Sequence, residues 1–426
     1  MQKYRVAVLG CRGRGTAAGR AYHQHPRTEV VALCDLVPER LATLGDELGV
    51  AARYDDLDRM IEAEAPDIVA IPTGTEFHYP LAMRVLEHGV HIDIEKPICT
   101  TLAEADAVLA KAAEQGVQVA VHHQGRSGGA LQAVKAAVDE GRIGDLRFIQ
   151  GSGKGYYGGY GLMNIATHSL NAMLGVAGPV RSVQAVALTD GRPITPEDVV
   201  PSPSGMGYIA GEHVTAALAF EGGFSGVLLQ HRFPVMDSTA YMIEIYGTEG
   251  RLYWKSDAPW FLSTPHFAPG QAEWQPLAPI VPEHYDPAGP ASVEDYQFAD
   301  EYVRALDEGR AHECSGDAGR HVLEILMGIS SRARAAGVWI CRKRNAITRS
   351  CAGARNTVWA CPVRCRAPIR NGSPRKTAVW AGVRASRRAF PNHPPRPYPA
   401  NPPTPIIRSI LPPRIAAISS SSRNGQ

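Results

Sequence analysis

A glycine-rich turn near the start of the chain has the residue types that hold a phosphate. Gly10-Cys11-Arg12-Gly13-Arg14-Gly15 lies between an apolar run at 5–9 and a segment that can form a helix. Its spacing is G-x-x-G-x-G instead of the standard G-x-G-x-x-G, with Arg12 where the middle glycine usually stands. A tight turn of bare backbone at a helix N-terminus binds pyrophosphate. Glycine-rich loops are common, so the glycines alone are weak evidence for a dinucleotide site. The position of this turn directly after the first predicted strand makes that interpretation stronger.

Asp35 supplies a carboxylate in the position that such a site needs. It ends the second apolar run, 20 residues after Gly15, where a carboxylate accepts hydrogen bonds from the adenosine ribose. The alternative is an aspartate that only caps the next helix. Because a carboxylate repels a 2′-phosphate, we predict NAD in preference to NADP as the cofactor. The arginines that would weaken this preference are Arg12, Arg14 and Arg40.

The elements that must position these residues alternate along the first part of the chain. The predicted strands are 5–9, 30–34, 67–72, 90–94 and 117–121, and the predicted helices are 16–25, 38–48, 80–88 and 102–115. Apolar runs without alternation, separated by helices, indicate a parallel sheet covered on both faces. We therefore predict an α/β protein whose residues 1–122 form a dinucleotide-binding Rossmann domain.

The pattern changes after residue 130. A helix at 131–140 precedes β-type stretches at 146–152, 180–188, 214–220, 225–231, 242–246 and 251–254, with late helices at 293–309 and 316–335. Gly247-Thr248-Glu249-Gly250 marks a hairpin turn. Residues 123–340 are predicted to form an α+β substrate domain with an open, mostly antiparallel sheet. Since an open sheet face needs cover, we expect a homo-oligomer, a dimer or tetramer, that assembles through this sheet.

Composition narrows the class of protein. The chain is 44% hydrophobic and 20% charged, which is typical of globular domains, and no apolar run approaches the roughly 18 residues of a membrane span. An apolar strand follows Met1 almost at once, which leaves no room for a signal peptide and predicts a cytoplasmic protein.

The last segment, 341–426, differs from the rest. It holds 17 Lys and Arg, 13 Pro and no acidic residue, as expected of a disordered basic tail or of a translated frameshift. The remaining chain has a net charge near −15, which argues against a nucleic-acid partner.

Cysteines and histidines give no metal-binding pattern. The eight cysteines contain no C-x-x-C pair, so reduced thiols are expected. His122 and His123 are strand neighbours that point to opposite faces, and ligand spacing is missing among the remaining candidates His78, His88 and His91. We predict no metal.

Seven motifs together resemble one known family. They are the glycine turn, Pro72-Thr73-Gly74-Thr75 with His78, Glu95-Lys96-Pro97, Gln124 with Arg126, Ile143-Gly144-Asp145, Gly158-Gly159 with Asn164 and His168, and Gly247-Thr248-Glu249-Gly250. In this order, over about residues 3 to 338, they resemble the glucose–fructose oxidoreductase/inositol dehydrogenase/MocA (Gfo/Idh/MocA) family of nicotinamide-dependent oxidoreductases. The resemblance implies a Rossmann domain, a second domain with an open sheet, and an active site between them.

The resemblance also implies roles for single residues. Lys96 matches the lysine that contacts substrate and nicotinamide and transfers a proton, which suits a lysine at a strand end that is partly desolvated. An arbitrary lysine would more often be a solvated surface charge. The resemblance further places five residues at the cofactor: Thr73, His78, Glu95, Lys96 and Gln124.

His168 matches the catalytic histidine of the family, and Asn164 lies four residues before it, on the same face of a helix. Many relatives have Asp in place of Asn164. An amide can orient the imidazole but cannot neutralise its charge, so Lys96 is expected to carry more of the proton transfer. A hydrogen-bonded structural histidine is the alternative for His168.

Further polar residues suit a substrate with several hydroxyl groups. The candidates for substrate contact are His123, Arg126, Lys154, Tyr156, Tyr157 and Tyr160, together with Lys96, Asn164 and His168. The glycines and tyrosines of 153–161 predict a mobile loop over the site.

Three functions fit these residues. The first is an NAD(P)-dependent dehydrogenase that removes hydride from a hydroxyl-bearing carbon of a sugar, polyol or inositol-like substrate. The second is an NAD-dependent glycoside hydrolase or lyase that oxidises its sugar transiently. The third is a cofactor-sensing regulator without activity, which the presence of both Lys96 and His168 disfavours.

Overall fold

The computed structural model describes residues 3–237, 239, 241–255, 258–266, 273–334 and 339–341. The predicted basic tail lies outside the described residues apart from Cys341. The helices are α1 Arg14–Gln24, α2 Pro38–Leu48, α3 Leu57–Glu64, α4 Thr75–Glu87, α5 Leu102–Gln115, α6 Gln124–Ser127, α7 Gly129–Asp139, α8 Gly158–Gly161, α9 Thr167–Ala177, α10 Val293–Asp307 and α11 Gly316–Arg334. A π-helical turn, Leu162–Ala166, joins α8 to α9, and Pro196–Asp198 form a 3₁₀ turn.

The strands fall into two large sheets and one small hairpin. They are β1 Tyr4–Leu9, β2 Thr28–Cys34, β3 Arg53–Tyr54, β4 Ile68–Ile71, β5 His91–Glu95, β6 Val119–His122, β7 Leu146–Ser152, β8 Val180–Thr189, β9 Arg192–Pro193, β10 Val200–Pro201, β11 Tyr208–Ile209, β12 His213–Phe220, β13 Ser225–His231, β14 Met242–Gly247, β15 Arg251–Lys255, β16 Ala258–Leu262, β17 Gln275–Pro276 and β18 Trp339–Ile340.

The first sheet has six parallel strands in the order β3-β2-β1-β4-β5-β6. Every residue of β4 is buried, as expected of a strand covered by helices on both faces. The carboxyl ends of β1, β4 and β5 meet at one edge, so Gly10, Thr73 and Lys96 follow neighbouring strands there. The predicted parallel Rossmann sheet is confirmed.

The second sheet is long, open and mostly antiparallel, as predicted. Its order is β17-β16-β15-β14-β7-β13-β12-β8-β18, with β9 paired to β8. Only β7 and β13 pair in parallel among these described strands. One face is covered by α7, α9 and α11. Leu228 points to that covered face and is buried, while its neighbours Val227 and Leu229 point to the opposite face and are half-buried.

Helix α10 follows the second sheet in sequence but packs against α1 of the first domain. The Tyr302 hydroxyl donates to the carbonyl oxygens of Ile92 and Gln118, at 2.9 and 3.1 Å. The chain thus returns to the Rossmann domain after building the second sheet. The predicted boundaries near 122 and 340 stay a prediction.

Local signals located some elements well and others poorly. The predicted helices 38–48 and 102–115 agree with α2 and α5, because α5 has a capping box of Thr101 with Glu104 and α2 begins at a proline. The start of α4 was predicted at Pro80 and was wrong: α4 begins at Thr75 and carries Pro80 inside it. Helix α3 was not predicted at all.

Candidate active site

The glycine turn has the backbone that a phosphate-binding loop requires. Gly10 and Gly13 have φ angles of +106° and +46°, which residues with a Cβ adopt only with strain. A Cβ on Gly15 would lie 1.8 Å from the carbonyl oxygen of Gly10. Gly13 is the N-cap of α1 and no side chain caps this helix. The Gly15 amide donates to the Arg12 carbonyl oxygen at 2.8 Å, so the other amides of the first turn are the ones that can bind an anion.

Thr73 stands beside this turn. Its Cγ2 lies 3.3 Å from where a Cβ of Gly10 would be, and its hydroxyl is buried without a hydrogen-bond partner among the described residues. A buried polar atom without a partner at this place fits a ligand that supplies one. The loop and Thr73 therefore fit a dinucleotide.

Asp35 is buried and shapes the same turn. Its carboxylate accepts from the backbone N–H of Cys11 at 2.7 Å and from that of Val37 at 2.9 Å. The Arg40 guanidinium lies 3.7 Å from it. A carboxylate has about four acceptor sites, so Asp35 retains capacity for the ribose hydroxyls, and that role stays a prediction.

Arg12 and Arg14 differ although both were predicted to bind the cofactor. Arg12 is exposed. Arg14 donates to Glu95 from Nε at 2.6 Å and to Asp295 from NH2 at 2.6 Å. The charge of Arg14 is thus compensated by two carboxylates, whereas Arg12 has no ion pair within the described part of the chain.

Lys96 follows β5 and is tied to the second domain. Its Nζ donates to the backbone oxygen of Asn164 at 2.9 Å and to the side-chain oxygen of Asn164 at 2.8 Å. Burial lowers the pKa of Lys96 to about 8; the neighbouring Glu95 opposes this shift, while Arg14 and Lys154 favour it. A lysine with this pKa exchanges a proton readily near neutral pH.

Asn164 lies in the π-helical turn, not in a regular α-helix as its spacing from His168 had suggested. Its amide nitrogen donates to the Tyr160 hydroxyl at 3.1 Å, and its oxygen accepts from Lys96. The amide of Asn164 is thus engaged by Lys96 and Tyr160, and its expected role in orienting His168 stays a prediction. Single π-helical turns are frequent at functional sites because they re-aim side chains.

His168 is half-buried and close to aromatic rings. Its ring lies 5.7 Å from that of His123 and 6.3 Å from that of Tyr241, between centroids. Burial, and then the positive charge of Lys96, hold the pKa of His168 well below its usual value. The imidazole is therefore neutral at physiological pH, which lets it accept a hydrogen bond from a hydroxyl group.

His123 lies behind His168. It is buried and its Nε2 is 2.7 Å from the Thr167 hydroxyl, while its Nδ1 has no partner among the described residues. Burial and Lys96 also depress its pKa strongly. This arrangement suits a positioning role better than direct substrate contact, which stays a prediction.

The predicted substrate residues of 154–160 lie close to Asn164 and Tyr241, and the region between Lys96, His168 and these residues is called the candidate cleft. The Lys154 ammonium lies 4.8 Å from the centre of the Tyr241 ring, and Tyr156 packs at 5.7 Å from Tyr160. The Tyr160 hydroxyl bonds to Asn164 and to the Ser204 hydroxyl, at 3.1 Å each. The glycines of this segment have a packing reason, since a Cβ on Gly158 would lie 2.6 Å from a strand carbonyl oxygen.

Two predicted residues have other partners. The ring nitrogens of His78 face the carbonyl oxygens of Pro97 and Thr73, at 2.9 and 3.2 Å. Arg126 donates to Asn171 at 2.8 Å and packs beside Gly175 of α9. Through these contacts His78 and Arg126 stabilise the local structure. Their predicted contacts with cofactor and substrate stay predictions.

Gln124 keeps an oxygen free for a ligand. Its Oε1 is buried without a partner among the described residues, which fits the predicted cofactor contact.

Two protein-family models match this chain. One, described as an oxidoreductase family with an NAD-binding Rossmann fold, matches residues 4–123, and the GFO/IDH/MocA C-terminal domain matches residues 131–253.

The chain belongs to the Gfo/Idh/MocA family. Its first domain is therefore an NAD-binding Rossmann domain, as the glycine turn predicted. The chain is 34% identical over 144 residues to D-apiose dehydrogenase of Paraburkholderia graminis, covering 34% of this chain and 38% of that protein. It is 33% identical over 114 residues to glycosyl hydrolase family 109 protein 1 of Bacteroides fragilis, covering 25% of each chain. The matched region thus spans well under half of these relatives.

Solved oxidoreductase structures share the fold over about 80% of the chain. Levoglucosan dehydrogenase in complex with NADH and levoglucosan superposes with a TM-score of 0.66 at 20% identity, covering 80% of this chain and 99% of that one.

No helix within the described ranges has the length and apolar character to cross a membrane.

Two aromatic residues of the cleft were missed by the sequence reasoning. Tyr241 lies between His168 and Trp254, with 5.6 Å between the ring centroids of Tyr241 and Trp254. Trp254 is fully buried and its indole N–H has no partner among the described residues. Only the alternation of β15, which turns Leu252 and Trp254 to one face, could have indicated that Trp254 points inward.

Potential metal ligands cluster away from this cleft. His25 and His284 both approach Asp300, with Nε2–Oδ1 distances of 3.2 and 3.0 Å. The Nδ1 of His25 accepts from the Arg27 backbone N–H, so the ring proton sits on Nε2 and faces the carboxylate. The three side chains form a hydrogen-bonded group in which His25 and Asp300 are buried and His284 is exposed.

Proposed function

We propose that this chain is an NAD-dependent dehydrogenase that oxidises a secondary hydroxyl group of a sugar or polyol, with Lys96 as the group that accepts the hydroxyl proton. The observation that carries the proposal is the place of Lys96. It is a desolvated lysine at the carboxyl edge of the Rossmann sheet, and it is hydrogen-bonded to Asn164 of the second domain. A proton acceptor is thus held where the cofactor domain meets the predicted substrate residues.

Each residue of the candidate site has a separate role in this reaction. Bound NAD supplies a hydride acceptor beside this site. The neutral form of Lys96 takes the hydroxyl proton as the carbinol carbon becomes a carbonyl carbon, and it returns that proton in the reverse reaction. Asn164 holds the Lys96 ammonium in place, and the neutral imidazole of His168 accepts a hydrogen bond that orients the substrate. Tyr241, Tyr156 and Lys154 offer a ring face and polar atoms to a polyhydroxylated ligand.

The relatives support this substrate class. D-Apiose dehydrogenase and levoglucosan dehydrogenase are named for sugars, and a cleft with several tyrosines and a lysine suits hydroxyl-rich molecules. We propose NAD in preference to NADP as the cofactor, because the Asp35 carboxylate beside the glycine turn would repel the 2′-phosphate of NADP. The nearby Arg40 guanidinium would weaken this preference.

The test is an assay of the purified protein with NAD and a panel of aldoses, polyols, inositols, anhydrosugars and glycosides, followed at 340 nm with product analysis. NADH formation and a keto or lactone product with at least one sugar or polyol are expected. A panel without NADH formation but with cleavage of a glycoside would favour the second candidate, an NAD-dependent glycoside hydrolase. The glycosyl hydrolase family 109 relative favours that candidate over only a quarter of the chain.

Self-association is the second part of the proposal. The uncovered face of the second sheet carries the exposed Val186 and half-buried apolar or aromatic side chains, Val227, Leu229, Tyr253 and Trp260. We infer that a second copy of this chain covers it. Light scattering should give at least a dimer, and Leu229→Glu should yield monomer; a wild-type monomer at micromolar concentration would contradict the inference.

A further inference from the structure

A chain of charged groups, buried except for the partly exposed Arg14, is linked to the backbone of Lys96. It contains Arg14 of α1, Glu95 at the end of β5 and Asp295 of α10, followed by His122 and Asp93. The proposed proton transfer does not use these groups. Their hydrogen bonds join four elements, α1, β5, β6 and α10.

Arg14 is fully engaged in this chain of groups. Its Nε donates to Glu95 Oε1 at 2.6 Å, its NH2 to Asp295 Oδ1 at 2.6 Å, and its NH1 to Asp295 Oδ2 at 3.4 Å. The two carboxylates are nearly buried, with 9% and 6% of their side chains exposed. A guanidinium bound on both edges in this way has a fixed position, and its charge is compensated before any phosphate arrives.

Glu95 connects Arg14 to the backbone of Lys96. Its second oxygen, Oε2, accepts from the Lys96 backbone N–H at 3.0 Å. We propose that Arg14 and Glu95 are positioning residues for Lys96: Arg14 holds the Glu95 carboxylate, and Glu95 holds the backbone from which the Lys96 side chain reaches Asn164. This inference, which rests on the proposed function, gives Arg14 and Glu95 a role other than direct cofactor binding.

The far end of the chain of groups holds Asp295 in place. His122 lies between two carboxylates, with Nε2 3.1 Å from Asp295 and Nδ1 2.9 Å from Asp93. Burial alone would lower the pKa of His122, but Asp93 and Asp295 raise it to about 10. The imidazole is therefore positively charged at physiological pH, and it supports Asp295 as a second cationic partner beside Arg14.

Arg14 and Glu95 also act on the charge of Lys96 in opposite directions. Glu95 raises the pKa of Lys96, whereas Arg14 and Lys154 lower it. The other titratable groups that face Lys96 are His123 and His168, and both are neutral because their pKa values are depressed. Removal of Glu95 and removal of Arg14 should therefore shift the proton affinity of Lys96 with opposite signs.

The experiment measures that proton affinity directly, without substrate. The full chain is labelled with a limiting amount of an amine-acylating reagent from pH 6 to 11, and the modification of Lys96 is quantified by peptide mass spectrometry. Against a wild-type midpoint near 8, Glu95→Gln should move the midpoint down by about one unit and Arg14→Gln up by about one unit. The matched control is Arg20→Gln, because Arg20 lies on the same helix and pairs with Glu47 near the surface.

A second pair of variants separates position from charge. Arg14→Lys keeps the charge but cannot hold both carboxylates in the same way, so the midpoint should stay near that of the wild type while turnover falls at least tenfold. The double variant Arg14→Gln with Glu95→Gln should also restore the midpoint and leave turnover low. NAD affinity should stay within a few-fold throughout.

Several results would overturn the inference. These are unchanged midpoints in both single variants, shifts of the same sign, or full turnover in Arg14→Lys. If Arg14→Gln does not fold, Arg14→Lys and Glu95→Gln still decide the question. If no substrate is oxidised but the midpoints move as expected, the proposed function fails and the electrostatic coupling stands.

Discussion

Replacing Asn164 by Asp tests which group transfers the proton. The side-chain oxygen of Asn164 lies 2.8 Å from Lys96 Nζ, so Asn164→Asp places a negative charge in direct contact with the ammonium. Two unit charges at this distance attract by about 1.5 kcal/mol in a medium like water and by about 6 kcal/mol at an effective dielectric constant of 20. Part of this is lost because the new carboxylate is itself desolvated, and a rise of about one to three units in the pKa of Lys96 is expected.

The kinetic consequence follows from the fraction of neutral lysine. With a pKa of about 8, about one tenth of Lys96 is neutral at pH 7, and a rise of one unit leaves about one hundredth. In the direction of hydroxyl oxidation, kcat/KM at pH 7 should fall by about tenfold or more in Asn164→Asp and recover as the pH rises. The sign is fixed: a raised pKa moves the acid limb of the profile to higher pH.

The assay is the pH dependence of kcat/KM for NADH formation, from pH 6 to 10.5. Tyr160→Phe is the matched control, because Tyr160 also contacts Asn164 but its loss adds no charge beside Lys96. An acid limb that stays in place in Asn164→Asp would refute Lys96 as the base. A wild-type limb well below pH 6.5 would instead assign the proton transfer to His168, whose pKa is depressed by burial.

The remaining predictions concern the cofactor side. Asp35→Ala should weaken NAD binding and narrow the preference over NADP, as measured by calorimetric titration with each nucleotide; tighter binding of NADP by the wild type would contradict the role of Asp35. Gly15→Ala should cost about 2 to 3 kcal/mol in the free energy of unfolding and abolish NAD binding, because its Cβ would lie 1.8 Å from the Gly10 carbonyl oxygen. Gly13→Ala should cost about 1 to 3 kcal/mol although the added atom has open space around it, because the backbone at φ +46° and ψ −93° is one that residues with a Cβ rarely adopt; a urea titration that shows no loss of stability in either variant would show that the turn is held differently.

The sequence predicted what depends on local pattern. Apolar runs and caps were enough for five of the six Rossmann strands, all but the two-residue β3, and for α2 and α5. The turn at Gly13 and the strand-end position of Lys96 could be located for the same reason. Helix α3 was missed because it is short and half of its residues are charged, so its apolar face is weakly marked.

The connections within the site could not be predicted, because they join distant parts of the chain. Lys96 and Asn164 are separated by 68 positions, and Arg14 and Asp295 by 281. Nothing in the spacing of Asn164 and His168 signals the π-helical turn that directs Asn164 to Lys96. Arg14 was expected at the cofactor because it lies in the glycine turn, yet its partners come from β5 and α10, whose position depends on tertiary packing.

The central claim is that Lys96 transfers the proton, and Lys96→Met tests it most directly. The measurement is the rate of NADH formation at saturating NAD and sugar, with NAD affinity measured separately and Lys111→Met, at a surface lysine paired with Glu114, as the control. We expect turnover to fall by a factor of about 10² to 10⁴, with NAD affinity within a few-fold of the wild type and full activity in the control. Unchanged turnover in Lys96→Met would show that another group transfers the proton.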